Sequence, residues 1–472
     1  MIVPKKPSPF PPALRTLRSI AVLALLAATP LRAAPSLENC TMRYTGPLAT
    51  DDQINSEKLA LRIFASPEVK KLRPQLRKIL EEDPAGKIPD GAAQIDHVLD
   101  LWSMAMIMWE VGGDTFRPQI LWHVDNSPHC WFGHEMQGMG AAGDNPDHIY
   151  RGAFLNGDST YEVKGQFGMN RPSQLSFEIF KGAPGKTVIT QQTSKTPDLG
   201  NQVSLIMSSN MNIAPDGSFT VTIGPDTNSK DPNYLPTAPG PLQLAIRDVL
   251  SDWNENPTAV TIKRTSGPDA SAPLTEQQLL SEIVTDLPGF VRFWSGFKTN
   301  WLGGIADNRV VGPAPRAGGW GYLLGGRFNL TDDDAITITI TDVGASYIGF
   351  QLLSPWLMMP VDTRNGTYSL NNGQVQRNPD NSVTYVLSPK DPGVANWIDT
   401  AGLHQGMYIV RWQGVPAGAD AKDMVKDFKV IRLADVGTTI PATVPRIDAA
   451  GRAAQVKKRT TEFDLRLGTA AR

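Results

Sequence analysis

The sequence predicts a mainly β protein: two duplicated antiparallel β-sandwich units, with an N-terminal helical segment and a helical connector between the units. Three observations carry this. Apolar and polar residues alternate with a period of two through two long regions. Those regions repeat one another at a nearly constant offset. Leu and Ile recur at helical spacing before the first region and again between the two.

At 472 residues the chain exceeds one ordinary core, so more than one domain is expected. Residues 1–33 read as a signal peptide. Lys5, Lys6, Arg15 and Arg18 form a basic start, and the apolar run Ile20–Ala28 is too short to span a bilayer. Small residues follow, and cleavage is placed after Ala33. No later stretch approaches about 20 apolar residues, so a periplasmic or secreted protein with no stable membrane span is expected. Loss of residues 1–33 removes five basic residues and no acidic ones, taking the formal charge from −2 to −7. A mildly acidic exported chain has no net electrostatic reason to bind nucleic acid, and no nucleic-acid partner is expected. Cys40 and Cys130 both survive cleavage, and in an oxidising compartment the simplest reading is one disulfide. The alternative makes Cys130 a metal ligand beside His129.

Residues 34–120 form the N-terminal helical region. SEKLALRIFASPEVKKLRPQLRKILEED and AAQIDHVLDLWSMAMIMWEV carry apolar residues three and four apart, with Pro67 and Pro74 expected to divide the first. His97 and the Met-Trp stripe from Trp102 to Trp109 read as packing.

The first sandwich is expected over 121–270 and opens with Leu121–Gly152. Four of the six histidines fall there (His123, His129, His134, His148), beside Asp125, Cys130, Glu135, Asp144 and Asp147. Gly and Pro suggest an irregular loop that presents these side chains from turns, a common setting for a site. TYEVKGQF, QLSFEIF, KTVITQQ, SFTVTIG, LQLAIRDVL and AVTIKRT follow as strands. Residues 271–302 return to helical spacing, with Thr275 as N-cap and Gln278 as its capping-box partner. Pro288 is expected to end or bend that helix. The second sandwich, 303–440, contains AITITITDVG, YIGFQLL, SVTYVLS and MYIVRWQG. The tail, 441–472, is basic and weakly patterned, and is expected to be flexible.

The duplication rests on three segments. Pro215–Asp226 aligns with Pro379–Lys390 at an offset of 164, Asn233-Tyr234-Leu235 with Asn396-Trp397-Ile398 at 163, and Leu244–Arg247 (LAIR) with Tyr408–Arg411 (YIVR) at 164.

GDNPDHIYRGAFLNGDSTYEVKGQFG, IRDVLSDWNENPTAVTIKR, RNGTYSLNNGQV and DPGVANWIDTAGLHQGMYIVRW, in this order, resemble the bacterial domain-of-unknown-function twelve-fourteen family. The resemblance covers roughly Leu121–Gln413 and implies a β-sandwich of jelly-roll type. It implies no reaction. Where the family's second copy tends to read TAGH, this chain has Leu403 before His404.

Two site chemistries emerge. His123, His129 and His134 with Glu135 are the residue types of a divalent-metal site such as zinc, although their spacing matches no zinc signature and HEMQGMG lacks the second His of H-E-x-x-H. Histidines beside tryptophans also pack without metal, and no cofactor is required. The metal-free alternative groups Asn145, Asp147, His148 and Tyr150 of the first copy with Asp391, Trp397, Asp399, His404 and Arg411 of the second. There His404 or His148 is the base, Asp399 or Asp147 orients it, and Arg411 stabilises negative charge. Trp397, Asn145, Tyr150, Asp391 and Trp131 are the candidate substrate contacts. Asp before Pro-Gly and Asn before Pro are also ordinary turn formers. With no G-x-S-x-G elbow, P-loop or dinucleotide fingerprint, the expectation is an exported hydrolase or lyase for a small polar or aromatic-faced substrate, foremost a saccharide or glycoconjugate. The alternatives are a lyase or isomerase for aromatic or terpenoid compounds, and a non-catalytic ligand-binding or surface protein.

Overall fold

The computed structural model describes residues 40–141, 143–182, 201–316 and 320–470. The signal-peptide assignment with its cleavage at Ala33, and the strand expected at KTVITQQ, lie outside the described residues.

A short strand β1 (Tyr44–Thr45) precedes three helices, α1 (Asp51–Phe64), α2 (Pro67–Glu82) and α3 (Pro89–Val111). Thr50 caps α1 by accepting from Gln53 N, and Ser66 caps α2 by accepting from Val69 N, with Pro67 in the first turn where no N–H is needed. Pro74 does not divide the segment; it sits exposed inside α2, where water can satisfy the carbonyl that its missing N–H releases.

The first sandwich comprises β2 (Leu121–Val124), β5 (His148–Asn156), β6 (Thr160–Gln166), β7 (Gln174–Lys181), β8 (Gln202–Met207), β9 (Ser218–Gly224), β10 (Tyr234–Pro236), β11 (Pro241–Val249) and β12 (Ala259–Ser266), with the hairpin β3 (His129–Trp131)–β4 (His134–Met136) inserted after β2. Helix α4 (Glu276–Trp301) connects to β13 (Arg309–Pro315), β14 (Tyr322–Asn329), β15 (Asp334–Ile340), β16 (Tyr347–Leu353), β17 (Ser369–Asn371), β18 (Val383–Ser388), β19 (Trp397–Asp399), β20 (Gln405–Gln413) and β21 (Val425–Arg432). The short α5 (Val436–Thr439), then α6 (Ala449–Asp464) and β22 (Thr469–Ala470), close the chain.

Sheet order makes the duplication explicit. The first unit has a five-stranded sheet β2-β5-β11-β7-β8 and a four-stranded sheet β10-β9-β6-β12; the second has β13-β14-β20-β16-β17 and β19-β18-β15-β21. Strand for strand these are the same arrangement, even to the one parallel pair in each, β9–β10 and β18–β19. Asn233 and Asn396 do the same work in each copy. Asn233 Nδ2 donates to Asn212 O and Thr220 O, and Asn396 Nδ2 donates to Gln376 O and Thr384 O.

Strand alternation places the cores. In β11 and β7, Leu242, Leu244, Ile246, Leu175, Phe177 and Ile179 fill the first sandwich. In β20 and β16, Tyr408, Val410, Trp412, Ile348, Phe350 and Leu352 fill the second. The other faces of these two sheets, carrying Arg247, Glu178, Arg411, Gln351 and Tyr347, are turned outward from the sandwich cores. Helices α1–α4 bury a separate core that includes Trp102, Met104, Ile283, Leu287, Phe290 and Trp356. Pro288 does not end α4. Seven apolar residues of that helix (Leu279, Ile283, Leu287, Phe290, Val291, Phe293, Trp294) are buried in this core, which outweighs the ~3 kcal/mol that an internal proline costs. The capping box expected at Thr275 and Gln278 is formed.

The C-terminal segment, expected to be flexible, is docked. Arg459 is buried, donates Nε to Gly366 O (2.9 Å) and lies 4.4 Å from the Trp253 ring centroid. Phe463 packs on Trp253, and β22 pairs with β1. A basic face reads as solvated in sequence, but guanidinium groups also stack on aromatic rings. Cys40 and Cys130 form the disulfide. No helix among the described residues is long and apolar enough to cross a membrane.

Candidate functional site

The Leu121–Gly152 stretch is mostly buried and partly regular, rather than an irregular loop. β2 pairs with β5, Asp125 and Met139 exchange backbone hydrogen bonds, and β3–β4 turns tightly through Phe132 and Gly133, both at positive φ (48° and 83°). Arg466 near the C-terminus holds it from outside through Asp125 Oδ2 (3.2 Å). Its side chains divide between two clusters.

The first cluster centres on Glu57 of α1, fully buried. Its carboxylate receives Gln53 Nε2 (2.9 Å) and Trp131 Nε1 (2.6 Å), and faces His129 Nε2 (3.1 Å) and His134 Nε2 (2.6 Å). Burial pushes this carboxyl up, but the His129 charge and the hydrogen bonds from His129, His134 and Gln53 outweigh it and hold it at about 2. The metal-ligand set expected from sequence is not assembled. His123 turns Nδ1 to Leu121 O (3.1 Å) and packs on Trp109, Glu135 is exposed, and Cys130 is in the disulfide. Among the described residues no group of three or more His, Cys, Asp or Glu could hold a metal ion. Trp131 serves Glu57, so it lies away from the second cluster.

The second cluster lies between the two five-stranded sheets. Asp147 accepts from Tyr347 Oη (2.8 Å), Trp253 Nε1 (2.8 Å) and Asn371 Nδ2 (3.0 Å), so the site loop of the first unit is fastened to β16 and β17 of the second. Asn145 Nδ2 donates to Tyr347 Oη (2.7 Å) and faces His148 Nε2 (3.3 Å). Because the amide is a donor there, Nε2 accepts and the ring proton sits on Nδ1, directed at Tyr150 Oη (3.1 Å). Burial, then the charges of Arg247, Arg411 and Arg316, hold His148 well below its usual range, so it is neutral.

Three guanidinium groups converge here. Arg411 donates Nη2 to Gly143 O (2.7 Å) and Nη1 to Gln351 Oε1, whose Nε2 in turn reaches Asp144 O. Arg247 lies between the rings of Tyr150 and Trp320, with centroids 5.0 and 4.1 Å from its guanidinium carbon, and its Nε has no hydrogen-bond partner among the described residues. Arg316 stands 5.7 Å from the same Trp320 ring. Among the described residues no carboxylate is within ion-pair distance of any of the three. Burial, then repulsion from Arg247 and Arg411, depress Arg316 to about 9. Glu178 is hydrogen-bonded to Trp320 Nε1 (3.3 Å) and Gln202, and burial raises its pKa. Asp144 accepts from Ala141 N, and burial raises it to about 7 against the pull of Arg411 and Arg247. Asp144, Tyr150, Arg247 and Arg316 are each half-buried, so the cluster keeps accessible surface between the repeats.

The structure therefore brings Asn145, Asp147, His148, Tyr150 and Arg411 together, and leaves the rest of the second-copy group elsewhere. His404 is 51% exposed and pairs with Asp332 (3.1 Å). Asp399, raised by burial to about 6, accepts from Ala401 N in a turn. Trp397 donates to Ser388 O (3.0 Å), and Asp391 pairs with Arg452 (2.9 Å). Sequence reasoning missed Arg247, Arg316, Glu178 and Tyr347 as cleft residues. Only Arg247 had a signal, its alignment with Arg411 across the repeat.

Fold and cleft together define a two-sandwich protein with a cationic cleft between its repeats. Residues 150–249 match the family described as "Protein of unknown function (DUF1214)", and that segment carries Tyr150, Glu178 and Arg247. A crystal structure of an uncharacterized protein from Burkholderia cenocepacia aligns with a TM-score of 0.64 and 23% identity, covering 80% of this chain and 100% of that one. It shares the fold. The VPA0106 protein from Vibrio parahaemolyticus aligns at a TM-score of 0.36 and 11% identity over 61% of this chain and 89% of its own, too distant to carry an argument. No curated protein matches.

Proposed function

We propose that the chain is an exported bacterial protein that binds a small anionic molecule in the inter-repeat cleft and acts on it as a hydrolase or lyase. One observation carries the reading: Arg247, Arg316 and Arg411 converge with no carboxylate among the described residues in ion-pair contact. Like charges held together out of water are costly unless an opposite charge joins them. Asp144 supplies the chemistry. A carboxyl raised to about 7 can both give and take a proton at neutral pH. Tyr150 adds a hydroxyl that accepts from Asn145 N (3.1 Å) and faces His148, leaving its own proton for a ligand. Within the substrate classes expected from sequence, this favours acidic members, a uronic acid among sugars or a carboxylate among aromatics.

A thermal-shift comparison of glucuronate and benzoate with glucose, at fixed ionic strength, tests the binding. Ligand that binds only the folded state raises the melting temperature by mass action. The acids are expected to raise it and glucose not; equal shifts, or shifts that survive Arg247→Gln, would falsify the reading. The same arginines would serve a non-catalytic ligand-binding protein. Turnover that disappears in Asp144→Asn while binding persists separates the enzyme from that alternative.

A further inference from the structure

Arg247 and Arg411 hold the same place in their repeats, on β11 and β20, and Glu178 and Gln351 hold the same place on β7 and β16. Glu178 pairs in register with Ala245, two residues before Arg247, and Gln351 with Ile409, two residues before Arg411. The equivalent pairs behave differently. In the second repeat Arg411 closes onto Gln351 and onto Gly143 O (2.7 Å), so two of its nitrogens are engaged in holding the site loop. In the first repeat Glu178 turns to Trp320 and Gln202 instead, and Arg247 is left with ring contacts and an Nε that has no hydrogen-bond partner among the described residues. Arg316 joins it on the same indole, 5.7 Å from the ring centroid against 4.1 Å for Arg247, and has no acceptor among the described residues. Stacking uses the flat faces of a guanidinium and leaves its N–H edge for a planar anion.

We propose that the ligand is an organic dianion, a dicarboxylate or a phosphate monoester, whose two charges meet Arg247 and Arg316 together, while Arg411 is a positioning residue that fixes the loop carrying Asp144. This rests on the anion-binding reading above. Two cations sharing one aromatic ring repel each other, and a single carboxylate compensates only one of them. A second negative charge compensates both, so affinity is expected to rise steeply from mono- to dianion. Asp144 and Glu178 do not fill this role, since neither comes within ion-pair distance of either guanidinium.

Calorimetry on the mature chain at fixed ionic strength tests this with succinate and glycerol phosphate as dianions, and butyrate as the monoanion. The dianions are expected to bind at least about tenfold more tightly than butyrate. Which of the two binds better assigns the dicarboxylate or the phosphate form. Arg316→Gln is expected to abolish the preference with little change for butyrate, Arg316→Lys to keep much of it, and Arg247→Gln to weaken all three ligands. Circular dichroism on each variant controls for folding. Equal affinity for succinate, glycerol phosphate and butyrate overturns the dianion and leaves the anion site standing. Binding of none of them overturns both.

Discussion

Tyr347 of the second repeat donates its hydroxyl to Asp147 of the first at 2.8 Å, and accepts from Asn145 Nδ2 at 2.7 Å. All three side chains are buried. Tyr347 is therefore one of the polar joints between the repeats, beside Asn371 on Asp147 and Arg411 on Gly143 O. Removing its oxygen leaves a buried amide donor and a buried carboxyl oxygen unpaired. Tyr347→Phe is expected to lower stability by about 1–3 kcal/mol. Denaturant unfolding measures it, and an unchanged midpoint would mean that the repeats do not depend on this contact.

Asp144 predicts how stability varies with pH. Burial raises its carboxyl from 3.8 to about 7 in the folded chain. A raised acid binds its proton more tightly when folded, so its contribution is fully present below about pH 4 and is lost as pH rises through about 7. Asp144→Asn removes that loss. The variant is expected to be more stable than the parent at pH 8, by on the order of 2 kcal/mol since the cleft admits water, and to show a flatter profile between pH 4 and 8. Chemical denaturation across that range decides it. Parallel profiles would show that Asp144 titrates as an ordinary carboxylate.

Much of the architecture was legible because a duplicated sandwich writes its register twice. The offsets of 164 and 163 fall on β9 and β18, β10 and β19, and β11 and β20. The site was less legible, for reasons of geometry. His404 and Arg411 are close in sequence, but seven residues of strand span about 23 Å, and His404 emerges in solvent while Arg411 enters the cleft. Asp391, Trp397 and Asp399 belong to the β19 side of the second unit, whose four-stranded sheet does not contain Arg411. Glu57 lies 72 residues before His129 on a helix, where no local spacing could connect the two. Pro74 and Pro288 show the limit of local rules on the helices. Each weakens its own turn, yet solvent in one case and core packing in the other keep the helix continuous.

The exposed His404 leads to a negative expectation. Its ring pairs with Asp332 at the surface, and its backbone N–H reaches Asp90 Oδ2 at 2.7 Å. His404→Ala keeps the backbone contact and touches no cleft residue. Ligand affinity and turnover are expected to stay within about twofold of the parent, a surface-substitution effect of under ~0.5 kcal/mol. A large loss in either would bring the second-copy group back into the site.

Glu57 gives the acid limb. Its carboxyl falls from 4.5 to about 2 on folding, under the hydrogen bonds and charge described above, so its contribution is present above about pH 4.5 and lost as pH falls through about 2. A shift of this size corresponds to roughly 3 kcal/mol. Glu57→Gln keeps the shape but withdraws the anion that His129, His134 and Trp131 share, and it faces those donors with an amide that accepts through only one oxygen. The variant is expected to lose about 2–4 kcal/mol at pH 7 and to destabilise less than the parent between pH 4.5 and 2. Urea midpoints for both proteins at pH 7, 4 and 2.5 measure this. Should the two profiles run parallel below pH 4.5, the carboxylate would not be the group that acid disarms.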